Sequence, residues 1–401
     1  MNARRVLYLQ YTNPAAYPPV EHSARILADA GYDVRLLGIG GLGADQPAPG
    51  APVGRGSGWQ EMTLEPHPRI SMRLLRYQAP GWGQKLHYVW FMLWAFAWAL
   101  RWRPTWVYAS DALSCPAAWT IAVFARRRLV YHEHDVPHAP ATGMPSTMFQ
   151  RLVMRARAAV ARRAEWCILP NEARATALAP GERDRVVTVW NCPSRAEAMA
   201  RTESARGGQL RVLYQGSIVP ARLPVTVIQA LAMLPSTVSL TIAGYETAGN
   251  IGYIRTLLDA AAALGLGDRV TYVGTLSPRH VLLQHCATHD VGLALVRRDT
   301  ADLNEQTMVG ASNKPFEYLA CGVPVLVADL PDWRATYVDA GYGVACDPSS
   351  ASSLAEALRY FLSHPAERAA MGERGRARIL QDWNYETRFA PVLARLEAVA
   401  S

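Results

Sequence analysis

Short apolar runs alternate along this chain with stretches whose apolar residues recur at helical spacing, a pattern that predicts strands and helices in turn. In the first half, strands are expected at Arg5 to Gln10, Asp33 to Gly38, Ile70 to Arg76, Trp106 to Ala109, Leu129 to Tyr131, Trp166 to Leu169 and Val186 to Trp190. Helices are expected at Pro19 to Ala30 and over 147–164, and residues 39–60, rich in Gly and Pro, read as a long loop. A second series follows, with strands at Leu210 to Tyr214, Val238 to Ala243, Val270 to Val273, Val291 to Leu295 and Val323 to Ala328. Its helices are expected from about 222, then over 251–264, 278–287, 351–364 and 366–380. Strands separated by helices build parallel, doubly wound sheets. The fold class is therefore α/β, with two Rossmann-like domains facing a central cleft and ligands at the carboxyl ends of the strands. The expected division is residues 1–195, a small polar linker over 196–209, residues 210–385, and a last segment, 386–401, that returns to the first domain.

Composition narrows the partners. A chain of 401 residues, half of it hydrophobic and 18% charged, is globular and too long for one core. Its net charge of +8 suits an anionic membrane face, phosphorylated substrates or nucleic acid. No basic–aromatic strip or known module supports nucleic acid. Lysine occurs only at Lys85 and Lys314, the other cations being arginine, which a GC-rich genome explains. The six cysteines are scattered without a C-x-x-C pair, and the chain enters a strand at once rather than through a secretory leader. A reduced, cytoplasmic protein is expected.

Two segments bear on the membrane. Tyr88 to Leu100 is uninterruptedly apolar and holds Trp90, Phe91, Trp94, Phe96 and Trp98, with Arg101 and Arg103 closing it. It is shorter than the roughly 18–20 residues of a membrane span. A buried helix and an interfacial helix both remain open. The helix over 147–164 places Arg151, Arg155 and Arg162 along one stripe, with Leu152, Ala156 and Val160 opposite. That stripe is either a solvated face or one that meets an anionic membrane surface.

Candidate chemistry centres on Ser312 to Leu326, read as a loop, a short helix, a glycine stop at Gly322 and a buried strand. Ser312 or Asn313 can cap the helix, Lys314 follows, and Glu317 lies one turn inside. A helix mouth with a cation and a carboxylate suits a phosphate and a sugar hydroxyl. Strand 211–215 leads into Gly216, Ser217 and, further on, Arg222, where a glycine lets amides approach a phosphate and an arginine can clamp it. His134 follows strand 129–131 among His132, Glu133 and Asp135. Neither this turn nor His280, His285, His289 and Cys286 offers a convincing metal set.

These segments resemble the donor site of retaining glycosyltransferases with the GT-B fold, glycosyltransferase family 4 (glycosyl transferases group 1). The resemblance covers most of residues 210–390 and includes Ile242-Ala243-Gly244, Tyr272 to Leu276, and Asn384 after Trp383. It implies that Glu317 binds the donor's ribose and that Gly216, Ser217, Arg222, Ser312, Asn313 and Lys314 hold its diphosphate and sugar. Gly244 and Leu276 would lie by the nucleotide, and His134 by the transferring sugar. Asn13 and Tyr17 lie in the loop expected on the acceptor side. Ser217 stands where an arginine is common, and Val309 where many members carry a second glutamate. The implied activity is a hexosyltransferase, retaining and metal-independent, with no cofactor, the departing phosphate helping to deprotonate the acceptor. The implied partners are a nucleotide-diphosphate-sugar, a glycan or lipid-diphosphate-linked acceptor, and an anionic membrane surface at the cytoplasmic face of the inner membrane. The pathway would be polysaccharide, lipopolysaccharide or exopolysaccharide assembly. An epimerase or phosphorylase on the same fold, or a decayed membrane-associated partner protein, is the alternative.

Overall fold

A computed structural model describes residues 4–40, 62–79, 81–137, 147–178, 183–202, 208–247, 249–300 and 302–400. Most of the expected loop over 39–60, and residues 203–207 of the expected linker, lie outside the described residues. The described residues divide into two compact units, the first within 4–191 together with 385–400, the second within 192–384.

In the first unit, β1 (Arg5–Leu9), α1 (Pro18–Asp29), β2 (Asp33–Ile39), β3 (Ile70–Leu75), α2 (Trp82–Trp102) and β4 (Trp106–Ser110) come first. They are followed by α3 (Cys115–Phe124), β5 (Arg128–His132), α4 (Met148–Arg163), β6 (Trp166–Leu169), α5 (Glu172–Leu178) and β7 (Val186–Thr188). The strands form one parallel sheet in the order β3-β2-β1-β4-β5-β6-β7. Because side chains alternate across a strand, Val6 and Tyr8 of β1 enter one core and Leu7 and Leu9 the other. The first core holds Leu27 of α1 together with Phe389 and Leu396 near the chain's end. The second holds Phe91 and Ala95 of α2, Ile121 of α3 and Val160 of α4.

The second unit runs β8 (Leu210–Ile218), α6 (Thr226–Ala232), β9 (Val238–Glu246), α7 (Tyr253–Ala263), β10 (Val270–Gly274), α8 (Arg279–Cys286), β11 (Val291–Ala294) and α9 (Leu303–Gln306). Then come α10 (Asn313–Ala320), β12 (Val325–Ala328), α11 (Pro331–Trp333), β13 (Gly343–Cys346), α12 (Ala351–Ser363) and α13 (Pro365–Gln381). Its parallel sheet has the order β10-β9-β8-β11-β12-β13, the doubly wound order with its reversal between β8 and β11. The last helix, α14 (Tyr385–Ala400), belongs to the first unit and packs on α1.

Three expectations need correction. β8 and β9 run several residues further than their apolar stretches, to Ile218 and Glu246, and pair Gly216 with Gly244 and Ser217 with Tyr245. Gly216 and Ser217 therefore lie inside a strand rather than in a turn beyond it. On α4, Leu152 is exposed rather than opposite the arginine stripe, and Val153 and Val160 are the buried positions. The cause is Arg157, which turns inward to grip the buried Glu133 through both guanidinium and carboxylate ends, at 2.5 and 2.7 Å, and so fixes the helix's rotation. Finally, the apolar run on α2 is neither wholly buried nor wholly interfacial. Tyr88, Phe91, Ala95 and Ala99 face the core, while Trp82, Leu86, Trp90, Leu93 and Leu100 are exposed on the other side. Among the described residues, no helix is long and apolar enough to cross a membrane.

Candidate functional site

Each unit concentrates polar groups at the carboxyl ends of the strands where its sheet order reverses. In the second unit this place is built from β8, β9 and α10. Gly216 has φ +103 and Gly244 φ +144, a region that L side chains rarely adopt. The two bare backbones lie against each other, and a Cβ at Gly244 would come within 2.8 Å of the Gly216 carbonyl carbon. On its other side Gly216 faces Lys314, whose ammonium would stand 2.9 Å from any Cβ added there. The cation thus rests on open backbone at the strand end, with the Tyr214 ring 5.8 Å away. Arg222 reaches back to donate to Ser217 Oγ at 2.8 Å, placing a guanidinium as a second cation beside the same stretch of β8. Tyr272 and Thr275 donate to the Gly244 carbonyl, at 3.0 and 3.4 Å. Leu276 is half-buried in the segment that follows.

The start of α10 completes this place. Ser312 is the buried N-cap but makes no side-chain capping bond, and Asn313 Oδ1 is buried without a hydrogen-bond partner among the described residues. The positive end of the α10 dipole therefore lies at the turn that carries Lys314. The helix is pinned by Tyr318, whose hydroxyl accepts from the Gln215 amide at 3.0 Å and donates to the Leu213 carbonyl at 3.3 Å. Gly292 on β11 leaves room for that ring. Glu317 is buried, and its two oxygens accept from Gln215 Nε2 and from Arg279 Nη1. Arg279, the first residue of α8, also grips Glu197. Burial opposes its charge, but the carboxylates Glu197 and Glu317 more than offset this and hold its pKa above the usual range. Sequence reasoning missed Arg279, Gln215 and Glu197, since nothing in spacing links positions so far apart in the chain.

In the first unit the corresponding place lies where β1 and β4 end. Ser110 donates to Gln10 Oε1 at 2.7 Å, and Gln10 in turn donates to Thr12 at 3.0 Å. With its only proton so used, Ser110 Oγ must accept from His134 Nε2, 3.0 Å away. That assigns the proton to Nε2 and leaves Nδ1 as a buried acceptor with no partner among the described residues. Burial lowers the His134 pKa to about 4, so the ring is neutral near pH 7. Asp111, in the left-handed region at φ +64, accepts from the His134 amide at 2.8 Å. Arg174, buried, holds the His134 carbonyl at 2.5 Å. Tyr17 packs its ring 5.5 Å from that of His134. Asn13 is used locally, its Oδ1 accepting from Ala15 and its Nδ2 donating to the Met62 carbonyl at 2.9 Å.

The His134 geometry has a measurable pH signature. Its folded pKa lies below the unfolded value of 6.5, so between about 4 and 6.5 the unfolded chain binds the extra proton. Its stability contribution is complete above 6.5 and is lost as pH falls towards 4. Asp111 works in the opposite sense, because burial and then Asp135 raise its pKa. The wild-type profile mixes these with other buried groups such as His132, whose pKa burial and then His134 lower, and a comparison with His134→Gln reads out His134 together with its effect on His132. The variant should lose less stability on acidification through this window, by about 1.4 kcal/mol per pH unit. Parallel urea-unfolding profiles from pH 7 to 4.5 would refute the assignment.

Comparison with known proteins adds the following. Residues 228–394 match the family model described as glycosyl transferase-like. A GDP-mannose-dependent alpha-(1-6)-phosphatidylinositol monomannoside mannosyltransferase of Mycolicibacterium smegmatis is 29% identical over 195 residues, 49% of this chain and 50% of that protein. The chain thus spans about half the length of the curated relative it matches. Among solved structures, sucrose-phosphate synthase from Thermosynechococcus elongatus superposes with a TM-score of 0.72 at 18% identity, covering 99% of this chain and all of that one. HepE from Anabaena, solved with UDP and glucose, gives a TM-score of 0.70 at 18% identity over 98% of this chain and all of that one. The architecture is that of the GT-B glycosyltransferase structures, two Rossmann-like parallel-sheet domains, and much of the second unit carries the glycosyl transferase-like match.

Proposed function

We propose that this protein is a retaining hexosyltransferase that takes its sugar from a nucleotide-diphosphate donor held in the second unit. The observation that carries the reading is the Lys314 ammonium, seated on bare Gly216 at the mouth of α10, with Glu317 a turn behind it. Lys314, Arg222 and the first amides of α10 would neutralise the diphosphate as it departs. One lone pair on each Glu317 oxygen remains for a ribose diol, the other being taken by Gln215 or Arg279. Gly244 and the main chain near Leu276 would border the nucleoside. In the reaction the bond from the anomeric carbon to the diphosphate breaks, and a bond to the acceptor oxygen forms on the same face. The acceptor's proton passes to the departing phosphate. Neutral His134 would take a hydroxyl proton as a hydrogen bond at Nδ1, with Tyr17 beside it. Charge on the diphosphate is met by side chains, so a chelator should leave turnover unchanged. The mannosyltransferase relative and the UDP-bound neighbour support a nucleotide-sugar donor.

A lipid-linked acceptor at an anionic membrane surface, within cell-surface polysaccharide assembly, suits the first unit. Its helices α2, α3 and α4 share one core and contain no Asp or Glu. They expose Trp82, Trp90, Phe124 and Leu152 beside Arg101, Arg151, Arg155, Arg162 and Arg163. Each basic residue near an anionic surface contributes about 1 kcal/mol. Co-sedimentation with phosphatidylglycerol vesicles but not with neutral ones tests this part.

The donor reading is tested by a melting panel of nucleoside diphosphates and their sugars. At about 100 times its Kd, one of them should stabilise by about 2.7 kcal/mol, a shift of roughly 5–10 °C. Lys314→Gln should weaken that ligand about 10- to 100-fold, the cost of one charge-assisted hydrogen bond. If no member of the panel raises Tm at millimolar concentration, the donor site is wrong. Product anomers, read by NMR, decide retention.

A further inference from the structure

We infer that the first unit holds a binding pocket for the hydrocarbon chain of a lipid phosphate, with Lys85 as its phosphate contact. The pocket has a volume of about 360 Å³ and is lined by Tyr11, Trp82, Lys85, Tyr88, Leu113 and Phe149. That volume lies at the low end of the roughly 300–1,000 Å³ of small-molecule sites, enough for the start of one chain rather than a whole two-chain lipid.

Its walls are set by packing and are already satisfied. Tyr88 stands edge-on to both Tyr11 and Phe149, with ring centroids 4.7 and 5.1 Å apart. The Tyr88 hydroxyl donates to the Leu113 carbonyl at 2.7 Å, and the Tyr11 hydroxyl meets His87 Nδ1 at 3.2 Å. With the tyrosine hydroxyls occupied, what remains for a ligand is mostly ring surface and the Leu113 side chain, with Gln84 and Lys85 as the polar side chains of the lining. Such a lining favours hydrocarbon and offers little to a sugar or a peptide.

The rim reads the head group. Lys85 Nζ lies 4.2 Å from the centre of the Trp82 ring, and among the described residues no carboxylate pairs with it. Trp82 is 81% exposed and Leu86 73%, so the pocket opens onto the apolar outer face of α2. A ligand with an apolar chain and an anionic head would place the chain among the rings and the head on the ammonium. Two carboxyl-end segments connect the pocket to the polar cluster described above. Tyr11 follows Gln10 after β1, and Leu113 lies three residues after Ser110, where β4 ends. The pocket thereby adjoins, through its walls, the carboxyl-end segments of the unit that carries His134. That this lipid is the acceptor rests on the transferase reading; that it binds does not.

The test uses the full-length protein and farnesyl phosphate below its micellar concentration, with farnesol and inorganic phosphate as controls. Binding is followed by calorimetry and by tryptophan fluorescence. Farnesyl phosphate should bind saturably at one site. Phe149→Asp, at a partly exposed position, should weaken it at least tenfold. Lys85→Gln should weaken farnesyl phosphate about tenfold and leave farnesol unchanged. Lys85→Gln should keep the wild-type melting temperature, and both variants should keep the wild-type response to nucleotides, which separates this pocket from the donor site. No saturable binding, or equal binding to Phe149→Asp, overturns the inference. So does affinity confined to phosphatidylglycerol vesicles, which would make the face a membrane surface only. If farnesyl phosphate binds as described while no nucleotide binds, the pocket stands and its role as acceptor site falls.

Discussion

Gly244→Ala should destabilise the second unit by about 2–6 kcal/mol and remove nucleotide binding along with it. Two separate costs combine. The backbone at φ +144 is strained for any L side chain, about 1–3 kcal/mol. The new methyl would also drive into main-chain atoms of Gly216, and such overpacking typically costs about 1–3 kcal/mol because backbone cannot step aside as a side-chain end can. The only relief is to part β8 from β9 where Gly216 pairs with Gly244, and Gly216 is the seat of Lys314. Stability and ligand affinity should therefore fall together. Gly249→Ala is the control, since a Cβ there meets nothing within 4 Å. The measurement is the unfolding transition that responds to nucleotide, because a chain of two units need not unfold in one step. A Gly244→Ala variant within about 0.5 kcal/mol of wild type, the range of inconsequential surface changes, would mean that the two strand ends do not touch.

Why the alternation of strands and helices could be read in advance is clear from α10. Its bounds are marked by groups within a few residues, Pro315 in its first turn and a left-handed Gly322 at φ +67 just past its end. The parallel strands were legible for a similar reason, since burial on both faces demands unbroken apolar runs. What failed was whatever depends on distant partners. β8 and β9 continue through Gly216 and Gly244 because each supplies the other with room, and a glycine viewed alone reads as a stop. Leu152 faces outward because Glu133, just past the end of β5, claims Arg157. Lys314 and Glu317 were found through local pattern, whereas the groups that hold Glu317 come from Gln215 and Arg279, about a hundred and about forty residues away. Charge pairing in a core leaves no periodic trace in a single sequence.

Those holding groups define the second large effect, at Arg279. Its guanidinium lies between Glu197 and Glu317, with side-chain exposures of 12% for the arginine and 3% for Glu317. Arg279→Ala would leave Glu317 as a buried charge supported by Gln215 alone, and breaking a buried pair from one side costs about 3–5 kcal/mol. The loss should exceed that of Arg255→Ala, an exposed arginine paired with Asp259, where about 0–1 kcal/mol is expected. The pairing itself is read by a double-mutant cycle. Glu317→Gln removes the charge that Arg279 neutralises, so adding it to Arg279→Ala should recover part of the loss, with a coupling of about 1–3 kcal/mol. Arg279→Lys should fall between, because an ammonium can meet one carboxylate well but cannot fork to two. Urea unfolding of the four cycle members gives the stability term, and nucleotide titration of those that fold gives the functional one. If the carboxylate is held for a ribose, Arg279→Lys should weaken the nucleotide severalfold at unchanged protein concentration and fold. Strict additivity between Arg279→Ala and Glu317→Gln would show that the two side chains do not share a charge, and Glu317 would lose its claim to a preorganised role.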